Sequence, residues 1–400
     1  MIEIVGGGPA GATLALSLAR LGHEATLVER GGARTDGESL NPGIWRLFDA
    51  LGLRDVGGLR IHRSLIRWDS DDAVERHHRL PQLAVLRASF DAYLRELAGV
   101  PIVREIHGAD FVVDASGRAS WSRPNRVRTS EPMLAMRGIW RGEGLPSEAR
   151  VEALEDGWIW GAPMPDGSFA AIACIDPDPR ADESRYFAML SESLLFRELR
   201  GECTVHFADA TTYAAESDGV LRIGDASHTL DPLSSSGVRS AMQSALHTAI
   251  VLNTMIRRPD DASLALQFYA QTRDAAIREH REWTSSFYAE SRFREAPFWR
   301  ARSAGVPPAV QAALPATLTL SPDVEITDIP CVVGDFIESR RGVTGVARPF
   351  VWLGGVDAAT LLAPLAGREL PRETLLAQWR VITPHAEAFL KTLLRDRVVV

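Results

Sequence analysis

A glycine-rich run near the start of the chain has the spacing of a phosphate-binding turn. Residues 6–11 read GGGPAG, with a short apolar stretch before them and a helical apolar pattern after them. In a G-x-G-x-x-G turn the first glycine allows the tight turn, the second lets the backbone approach a pyrophosphate, and the third allows close packing of helix on strand. The free N–H groups at the helix start favour phosphate oxygens. The residues predicted to form this site are Gly6, Gly8, Pro9, Ala10 and Gly11.

An acidic residue follows the next apolar stretch. Residues 25–28 read as a second strand, and Glu29 and Arg30 follow it. A carboxylate at this place can accept hydrogen bonds from both ribose hydroxyls, and it repels a 2′-phosphate. The pattern predicts a dinucleotide with an unphosphorylated adenosine, such as FAD or NAD, bound by Glu29 and its neighbour Arg30.

A second constellation selects FAD between these two. Residues 223–228 read IGDASH after a predicted strand, and residues 231–237 read DPLSSSG before a long helical pattern. Asp225, at the end of a strand, can hold ribitol hydroxyls. The turn at 232–237 and the helix dipole can face a flavin ring, which becomes negative on reduction. The alternative interpretation is a capped helix after a proline turn.

The same loop contains the best candidate for a catalytic base. His228 lies near Asp231, and histidine titrates in the range that general-base catalysis needs. A histidine that is hydrogen-bonded within a turn is the alternative, and the sequence does not decide between them.

The remaining patterns position these motifs. Helices are predicted at 41–53, 89–97, 184–199, 237–256, 273–302, 358–366 and 372–395, a β-hairpin at 64–80, and antiparallel sheet at 133–176. We therefore predict an α/β protein. A Rossmann-like FAD-binding domain, 1–303, carries an inserted antiparallel substrate sheet (about 60–82 and 133–215). A linker, 304–316, and a small C-terminal α+β module, 317–400, follow.

The charge of the C-terminal module bears on its partners. A winged helix is one candidate for residues 317–400, but nine basic and ten acidic side chains argue against a DNA groove. Recognition of a peptide or protein, or dimerisation, fits better.

Composition excludes several classes of protein. The net charge of −8 argues against nucleic acid or an anionic membrane as a partner. The three cysteines form no C-x-x-C pair, so we expect neither disulfide-reductase chemistry nor a cysteine-based metal site. An apolar run long enough to span a membrane is absent from the sequence, and a strand predicted at Ile2 leaves no room for a secretory signal. We expect a cytoplasmic protein.

Three motifs together carry a family resemblance. GGGPAG…LVER, VVDASGRAS and IGDASHTLDPLSSSG resemble, in that order, flavoprotein monooxygenases of the p-hydroxybenzoate hydroxylase type and their halogenase relatives. The resemblance implies FAD, reduction by NADH or NADPH, and a flavin C4a-hydroperoxide that hydroxylates electron-rich aromatic rings. It implies cofactor contacts for Arg87, in the stretch LRASFD, and for Asp225. It also places the following residues along the isoalloxazine: Pro232, Ser235, Ser236 and Gly237.

One motif resembles the halogenase branch. Residues 158–163 read WIWGAP, similar to the halogenase segment W-x-W-x-I-P with Ala162 in place of isoleucine. Halogenases need a lysine near the substrate, but the only lysine is Lys391, so halogenation is disfavoured. Trp158 and Trp160 are candidates to line a substrate sheet, or are alternating core residues. Asn41, in the turn after residue 40, is a further candidate to border the substrate.

A second branch fits better. The SSSG loop, the aromatic segment 287–300 and the C-terminal module resemble flavoproteins that modify a tryptophan inside another polypeptide during maturation of quinone-cofactor enzymes. The expected function is hydroxylation of such a tryptophan. The alternatives are hydroxylation of a small aromatic molecule, halogenation, and a flavin-binding scaffold without turnover. The sequence does not predict the oligomeric state.

Overall fold

The computed structural model describes residues 1–31, 36–304, 314–346 and 348–400. Its strands are β1 (Ile2–Val5), β2 (Ala25–Val28), β3 (Gly37–Leu40), β4 (Leu59–Arg67), β5 (Val74–Leu86), β6 (Ile102–Val103), β7 (Phe111–Asp114), β8 (Arg126–Arg128), β9 (Leu134–Arg141), β10 (Ala149–Leu154), β11 (Gly157–Pro163), β12 (Phe169–Ile175), β13 (Glu202–Asp209), β14 (Tyr213–Ala215), β15 (Leu221–Arg222), β16 (Thr317–Leu318), β17 (Glu325–Val333), β18 (Phe336–Thr344), β19 (Trp352–Leu353), β20 (Val356–Asp357) and β21 (Leu370–Pro371).

The α-helices are α1 (Pro9–Arg20), α2 (Ile44–Ala50), α3 (Arg87–Ala98), α4 (Glu183–Glu192), α5 (Gly237–Arg257), α6 (Ala262–Ala289), α7 (Pro297–Arg302), α8 (Ala358–Leu362), α9 (Arg372–Ile382) and α10 (Ala386–Arg395). Short 3₁₀ turns at Gly224–Ala226 and Pro232–Ser234 come before α5.

The chain divides into two compact units. Unit 1 contains Met1–Ala249 and His280–Val306, and unit 2 contains Ile250–Glu279 and Pro307–Val400. The division cuts through α5 and α6, so residues 250–279, which lie inside the predicted 1–303 domain, group with the C-terminal residues. Most of the predicted linker, 305–313, lies outside the described residues. The domain boundaries stay a prediction.

Unit 1 holds a parallel sheet of the kind predicted for a dinucleotide-binding fold. Its described strands are ordered β15-β7-β1-β2-β6, and the pairings around β1 and β7 are parallel. The fully buried β1 has an apolar side chain at three of its four positions, as expected for a strand covered on both faces. The carboxyl ends of β1, β2, β7 and β15 therefore meet at one edge, where a nucleotide binds in such sheets.

The second sheet of unit 1 has the order β13-β9-β12-β11-β10-β4-β5-β3 among the described strands. Its pairings are antiparallel except for β10 beside β4, which is parallel. Because successive side chains of a strand point to opposite faces of the sheet, Trp158 and Trp160 of β11 lie on one face and Ile159 lies on the other. Ile159 belongs to a core with Tyr186 and Phe196, whereas Trp158 packs with residues of α6 and α7.

The predicted helix at 273–302 is wrong in its middle. α6 ends at Ala289, and the backbone N–H of Arg292 donates instead to the carbonyl oxygen of Trp68, 2.8 Å away. Pro297 then begins α7, because proline lacks the N–H that a continuing helix requires. The predicted helix at 372–395 is also two helices, with Pro384 between α9 and α10.

Unit 2 is an α+β unit, as predicted for the C-terminal residues. β17 and β18 form an antiparallel hairpin in full register, and α8, α9 and α10 enclose a core with Trp379 at its centre. The indole N–H of Trp379 donates to the carbonyl oxygen of Leu361 at 2.7 Å, which joins α9 to α8.

Candidate cofactor and active site

The turn between β1 and α1 has the geometry that its glycines predict. Gly6 has a φ of 107°, and a Cβ there would lie 2.5 Å from the carbonyl oxygen of Ala115. A Cβ on Gly11 would lie 1.9 Å from the carbonyl oxygen of Gly6, so neither position admits a side chain. At Gly8 the nearest atom to such a Cβ is 3.9 Å away, on Arg87. The backbone at Gly8 is therefore open for approach by a ligand.

Glu29 lies at the end of β2, as predicted, and supports this turn. Its carboxylate accepts hydrogen bonds from the backbone N–H of Gly7 at 2.8 Å and of Gly31 at 3.1 Å. Contact between this carboxylate and a ribose remains a prediction.

A cavity of about 890 Å³ opens beside the turn, within the size range of small-molecule sites. Among the predicted cofactor residues, those that line it are Gly6, Gly8, Pro9, Ala10, Glu29, Arg30, Arg87, Asp225 and Gly237. Gly11 instead packs against Gly6, and the remaining three, Pro232, Ser235 and Ser236, lie in the loop that leads into Gly237.

Two helix starts meet in this cavity. A Cβ on Gly224 would lie 3.1 Å from the Cβ of Ala10 in α1 and 3.2 Å from that of Ala241 in α5. A Cβ on Gly237 would meet nothing within 4 Å, so the backbone at the start of α5 is as accessible as at Gly8. Both helix ends direct N–H groups and partial positive charge towards a common space. The residues present therefore fit FAD.

Arg87 is held rigidly at the edge of the cavity. Its guanidinium donates to both carboxylate oxygens of Asp91 at 3.0 Å and to Glu38 at 2.8 Å. Burial alone would lower the pKa of Arg87, but the negative charges of Glu38 and Asp91 and their hydrogen bonds raise it. A neighbouring arginine, Arg95, donates to the carbonyl oxygen of Gly7 at 3.0 Å. A direct contact of Arg87 with FAD stays a prediction.

The sequence analysis used the motif VVDASGRAS, at the loop after β7, for the family resemblance but assigned no cofactor residue to it. Asp114 accepts hydrogen bonds from Ser116, Ser120 and Ser122 at 2.5 to 3.0 Å. Burial raises the pKa of Asp114, but these hydrogen bonds outweigh it, and the pKa is lowered overall. The loop adds cavity residues that include Trp121 and Arg123. The serine spacing after a strand-ending aspartate was the available signal.

Asn41, a predicted substrate residue, contacts residues 231–237, the loop before α5 that is predicted to face the flavin and is called the flavin-facing loop here. Its amide donates to the carbonyl oxygen of Ser234 at 3.3 Å and to Oγ of Ser236 at 2.8 Å. Ser235 between them has a φ of 46°, in the left-handed region. The two hydrogen bonds from Asn41 therefore stabilise the unfavourable backbone conformation of Ser235, close to the start of α5. Contact of Asn41 with substrate stays a prediction.

The two predicted catalytic residues are both buried. The side chain of His228 is buried rather than exposed in a cleft. Its backbone N–H donates to the carbonyl oxygen of Gly224 at 3.1 Å, and its Nδ1 lies 3.3 Å from Oγ of Ser227. The carboxylate of Asp231 accepts hydrogen bonds from Leu233 N–H at 3.0 Å and from Tyr288 Oη at 2.9 Å. Burial raises the pKa of Asp231, although these hydrogen bonds oppose the shift. Their catalytic roles stay predictions.

His280 is a second residue that the sequence analysis missed. Its Nε2 accepts the backbone N–H of Asp231 at 2.8 Å. Burial, together with the positive charges of His228 and Arg239, lowers the pKa of His280 to about 4. The imidazole is therefore neutral at pH 7 and fixed as a hydrogen-bond acceptor for the flavin-facing loop.

The two tryptophans of β11 differ in their surroundings. Trp158 is 1% exposed, and its indole N–H donates to Tyr288 Oη at 3.2 Å. Burial favours the core interpretation for Trp158. Trp160 is half-buried on the same face of the sheet. Substrate contact by either stays a prediction.

Two negative findings apply to the described ranges. They contain no cluster of three or more histidine, cysteine or acidic side chains able to hold a metal ion. Within the same ranges, each helix is too short or too polar to cross a bilayer.

Comparison with protein-family models connects this geometry to known proteins. A model described as an FAD-binding domain matches residues 1–57, and a model described as tryptophan halogenase matches residues 104–318. This protein belongs to the tryptophan halogenase family. The predicted resemblance to flavin monooxygenases and halogenases is confirmed, and the protein is an FAD-dependent oxidoreductase.

The relatives of this tryptophan halogenase family member include both a halogenase and a monooxygenase. The chain is 28% identical over 366 residues to tryptophan 2-halogenase of Chondromyces crocatus, covering 75% of this chain and 70% of the relative. It is 28% identical over 327 residues to 6-methylpretetramide 4-monooxygenase of Streptomyces rimosus, covering 64% and 76%.

A solved structure matches the full length. Peptidyl tryptophan dihydroxylase QhpG, 24% identical, covers 100% of this chain and 99% of its own with a TM-score of 0.76. This similarity confirms the fold, including the α+β C-terminal residues.

Proposed function

We propose that this protein is a monooxygenase that hydroxylates an electron-rich aromatic ring, a tryptophan within a peptide or protein partner, with NADH or NADPH as electron donor. The observation that favours oxygenation over halogenation is the distribution of lysine. The single lysine, Lys391, lies on α10, and none of the described residues that line the cavity is a lysine. Arginine does not replace it, because its charge is delocalised and it stays protonated.

FAD supplies the redox chemistry and the activation of dioxygen when it is bound and reduced. In this proposal the turn at 6–11, Glu29, and Asp225 beside the start of α5 would hold the cofactor, and most of these residues line the cavity. The partial positive charge at the start of α5 would stabilise negative charge on the ring of the bound cofactor. We assign Asp225 to the ribitol hydroxyls.

The flavin-facing loop carries the proposed proton chemistry. His228 is proposed to accept the proton that the aromatic ring loses. Two contacts of Asp231 hold the loop in place. Its backbone N–H donates to His280, and its carboxylate accepts a hydrogen bond from Tyr288. The aromatic cluster around Trp158 and Tyr288 keeps water away from this side of the loop.

The polypeptide substrate is favoured over a small molecule by the likeness to a peptidyl tryptophan dihydroxylase along the whole chain, including the C-terminal residues. The monooxygenase relative of Streptomyces rimosus supports a small aromatic molecule as the second candidate. Halogenation is the third, since the family model carries that name.

Mass spectrometry of the product separates these candidates. The purified protein with FAD, NADH or NADPH, air and a tryptophan-containing polypeptide is expected to add the mass of one or two oxygen atoms to the tryptophan. Chloride-dependent replacement of hydrogen by chlorine would contradict the proposal.

The electron donor needs its own measurement. Anaerobic bleaching of the flavin absorbance by NADH or NADPH is expected without any other protein. If turnover occurs only with photoreduced FAD or an added flavin reductase, the donor assignment is wrong while the oxygenation chemistry stands.

A further inference from the structure

The hairpin of β4 and β5 carries a concentration of positive charge. Residues 59–63 read LRIHR and residues 76–80 read RHHRL, so these ten positions hold four arginines, which carry the charge at pH 7, together with three histidines and no acidic residue. We call these two segments the cationic ribbon. A protein with a net charge of −8 has little general attraction for polyanions, so an attraction for an anionic partner must come from a local cluster such as this one.

Part of this charge is compensated, and part is not. Glu75 lies 3.4 Å from Arg63 and 3.0 Å from His77, and Glu148 lies 3.2 Å from Arg63. In the described part of the chain, neither Arg76 nor Arg79 has a carboxylate within ion-pair distance, and both are exposed. The outward charge of the ribbon is therefore available to a partner.

One edge of β5 lies without a neighbouring strand along part of its length. β5 pairs with β4 at Val74–His77 and at Gln82–Ala84, with an irregularity at 78–81 where the Pro81 carbonyl oxygen accepts from the indole N–H of Trp45, and it pairs with β3 only from Leu83 to Leu86. Among the described strands, none pairs with the other edge of β5 between Val74 and Gln82. An open edge is a template for an added strand, a recurring mode of peptide recognition.

The positive charge of the cationic ribbon determines which kind of strand could pair with its open edge. Charged side chains on an open edge discourage pairing with a second copy of the same edge, because like charges oppose each other. The same arginines attract an acidic strand, and backbone pairing requires an extended polypeptide rather than a nucleic acid.

The edge is continuous with the cofactor site. β5 runs directly into α3, whose first residue, Arg87, lines the cavity. Gln82 accepts a hydrogen bond from Ser39 of β3 at 3.3 Å, and β3 leads to Asn41, which contacts the flavin-facing loop. A strand advances about 3.3 Å per residue, so Arg79 and Arg87 are separated by at most about 26 Å, a distance that an extended peptide spans.

We propose that the open edge of β5 in the cationic ribbon binds an acidic, extended segment of the polypeptide substrate by strand addition. This inference rests on the proposed function for the identity of the occupant. It deepens that function by stating how a polypeptide is recognised at a distance from its modified ring.

Binding is measured separately from turnover. Fluorescence anisotropy compares labelled tryptophan-containing peptides whose flank is a run of glutamates with matched peptides carrying glutamines. The glutamate peptide is expected to bind at least about tenfold more tightly, and its affinity should fall with salt. Equal affinities, or equally tight binding of a single-stranded oligonucleotide, would overturn the proposal.

Charge reversal locates the surface. The double change Arg76→Glu and Arg79→Glu should weaken binding of the glutamate peptide by about tenfold or more, with FAD content unchanged. The matched control is Arg197→Glu with Arg294→Glu, two exposed arginines elsewhere in unit 1. Loss of affinity in the control alone, or in both to the same extent, contradicts the assignment.

A peptide variant tests strand addition on the unaltered protein. N-methylation at alternate residues keeps the acidic charge and removes backbone donors, so it should reduce affinity. Undiminished affinity would overturn strand addition. The two proposals can fail separately. If the charge-reversed protein still transfers oxygen at the unaltered rate, as detected by mass spectrometry, the proposed function stands and the docking edge is wrong. If the acidic peptide binds at this edge but receives no oxygen, the docking edge stands and the proposed function is wrong.

Discussion

Tyr288 donates a 2.9 Å hydrogen bond to the buried carboxylate of Asp231, and its oxygen accepts a 3.2 Å bond from the indole N–H of Trp158. The three residues belong to α6, the flavin-facing loop and β11. One phenol therefore joins the antiparallel sheet of unit 1 to the loop that leads into α5. Burial and the negative charge of Asp231 raise the pKa of Tyr288 well above its ordinary value, so the phenol stays protonated and keeps donating.

Removing this hydroxyl should destabilise unit 1. Tyr288→Phe leaves a buried carboxylate oxygen and a buried indole N–H without their partner, which costs about 1 to 3 kcal/mol. The measurement is urea unfolding of the holoprotein. Tyr213→Phe, a half-buried tyrosine whose ring stacks under Arg118, is the matched control. A loss of the same size in both variants would contradict a special role for Tyr288.

His280 should make stability depend on pH between about 6.5 and 4. Because burial lowers its folded-state pKa to about 4, the unfolded chain binds a proton over this range while the folded chain does not. Stability should therefore fall as pH decreases from 6.5, by about 3 kcal/mol from this residue once pH reaches 4. His280→Gln keeps an acceptor for the Asp231 N–H but does not titrate, so its profile of unfolding free energy should be flatter.

The control for this profile is His206→Gln, because His206 is exposed on β13. Its pH profile should follow that of the unaltered protein. A slope that persists in His280→Gln would show that other groups carry the pH dependence.

Two glycine substitutions separate folding from cofactor binding. Gly11→Ala places a methyl group on the carbonyl oxygen of Gly6, so the apoprotein should lose about 1 to 3 kcal/mol of stability. Gly8→Ala has space in the protein, and Gly8 has a φ of −76° that alanine adopts freely. It should leave the apoprotein as stable as before and weaken FAD binding, as measured by flavin titration. Full FAD affinity in Gly8→Ala would place the pyrophosphate elsewhere.

The ribitol assignment is tested at Asp225. Asp225→Ala should weaken FAD binding by about tenfold or more, because a charged hydrogen bond is lost. Absorbance of the purified protein reports the bound flavin. Asp69→Ala, at an exposed aspartate in the β4–β5 turn, should purify with its normal flavin content. A fully loaded Asp225→Ala protein would show that the assignment is wrong.

Local patterns predicted the elements that hold the nucleotide. β1 and β2 were predicted at the positions observed, because a buried strand, a glycine turn and an amphipathic helix are each encoded by neighbouring residues. The hairpin at 64–80 was also predicted, but β5 is longer and extends to Leu86, where it leads into α3.

Contacts between distant residues could not be predicted in this way. Nothing in the helical pattern around His280 indicates that its ring meets the backbone of Asp231, 49 residues earlier. The break after α6 was missed for the same reason, since the N–H of Arg292 finds the carbonyl oxygen of Trp68, although Pro297 was a local signal of a new helix.

The assignment of the base is tested by His228→Ala. Removal of a general base should slow oxygen transfer by about 10²- to 10⁴-fold, while anaerobic reduction of the flavin continues at its normal rate. Added imidazole should restore part of the rate. His206→Ala is the control. Because His228 is buried, its removal can also disturb the loop, but a purely structural defect would not respond to imidazole and would reduce FAD binding as well. Unaltered coupling of flavin oxidation to product formation would exclude His228 as the base.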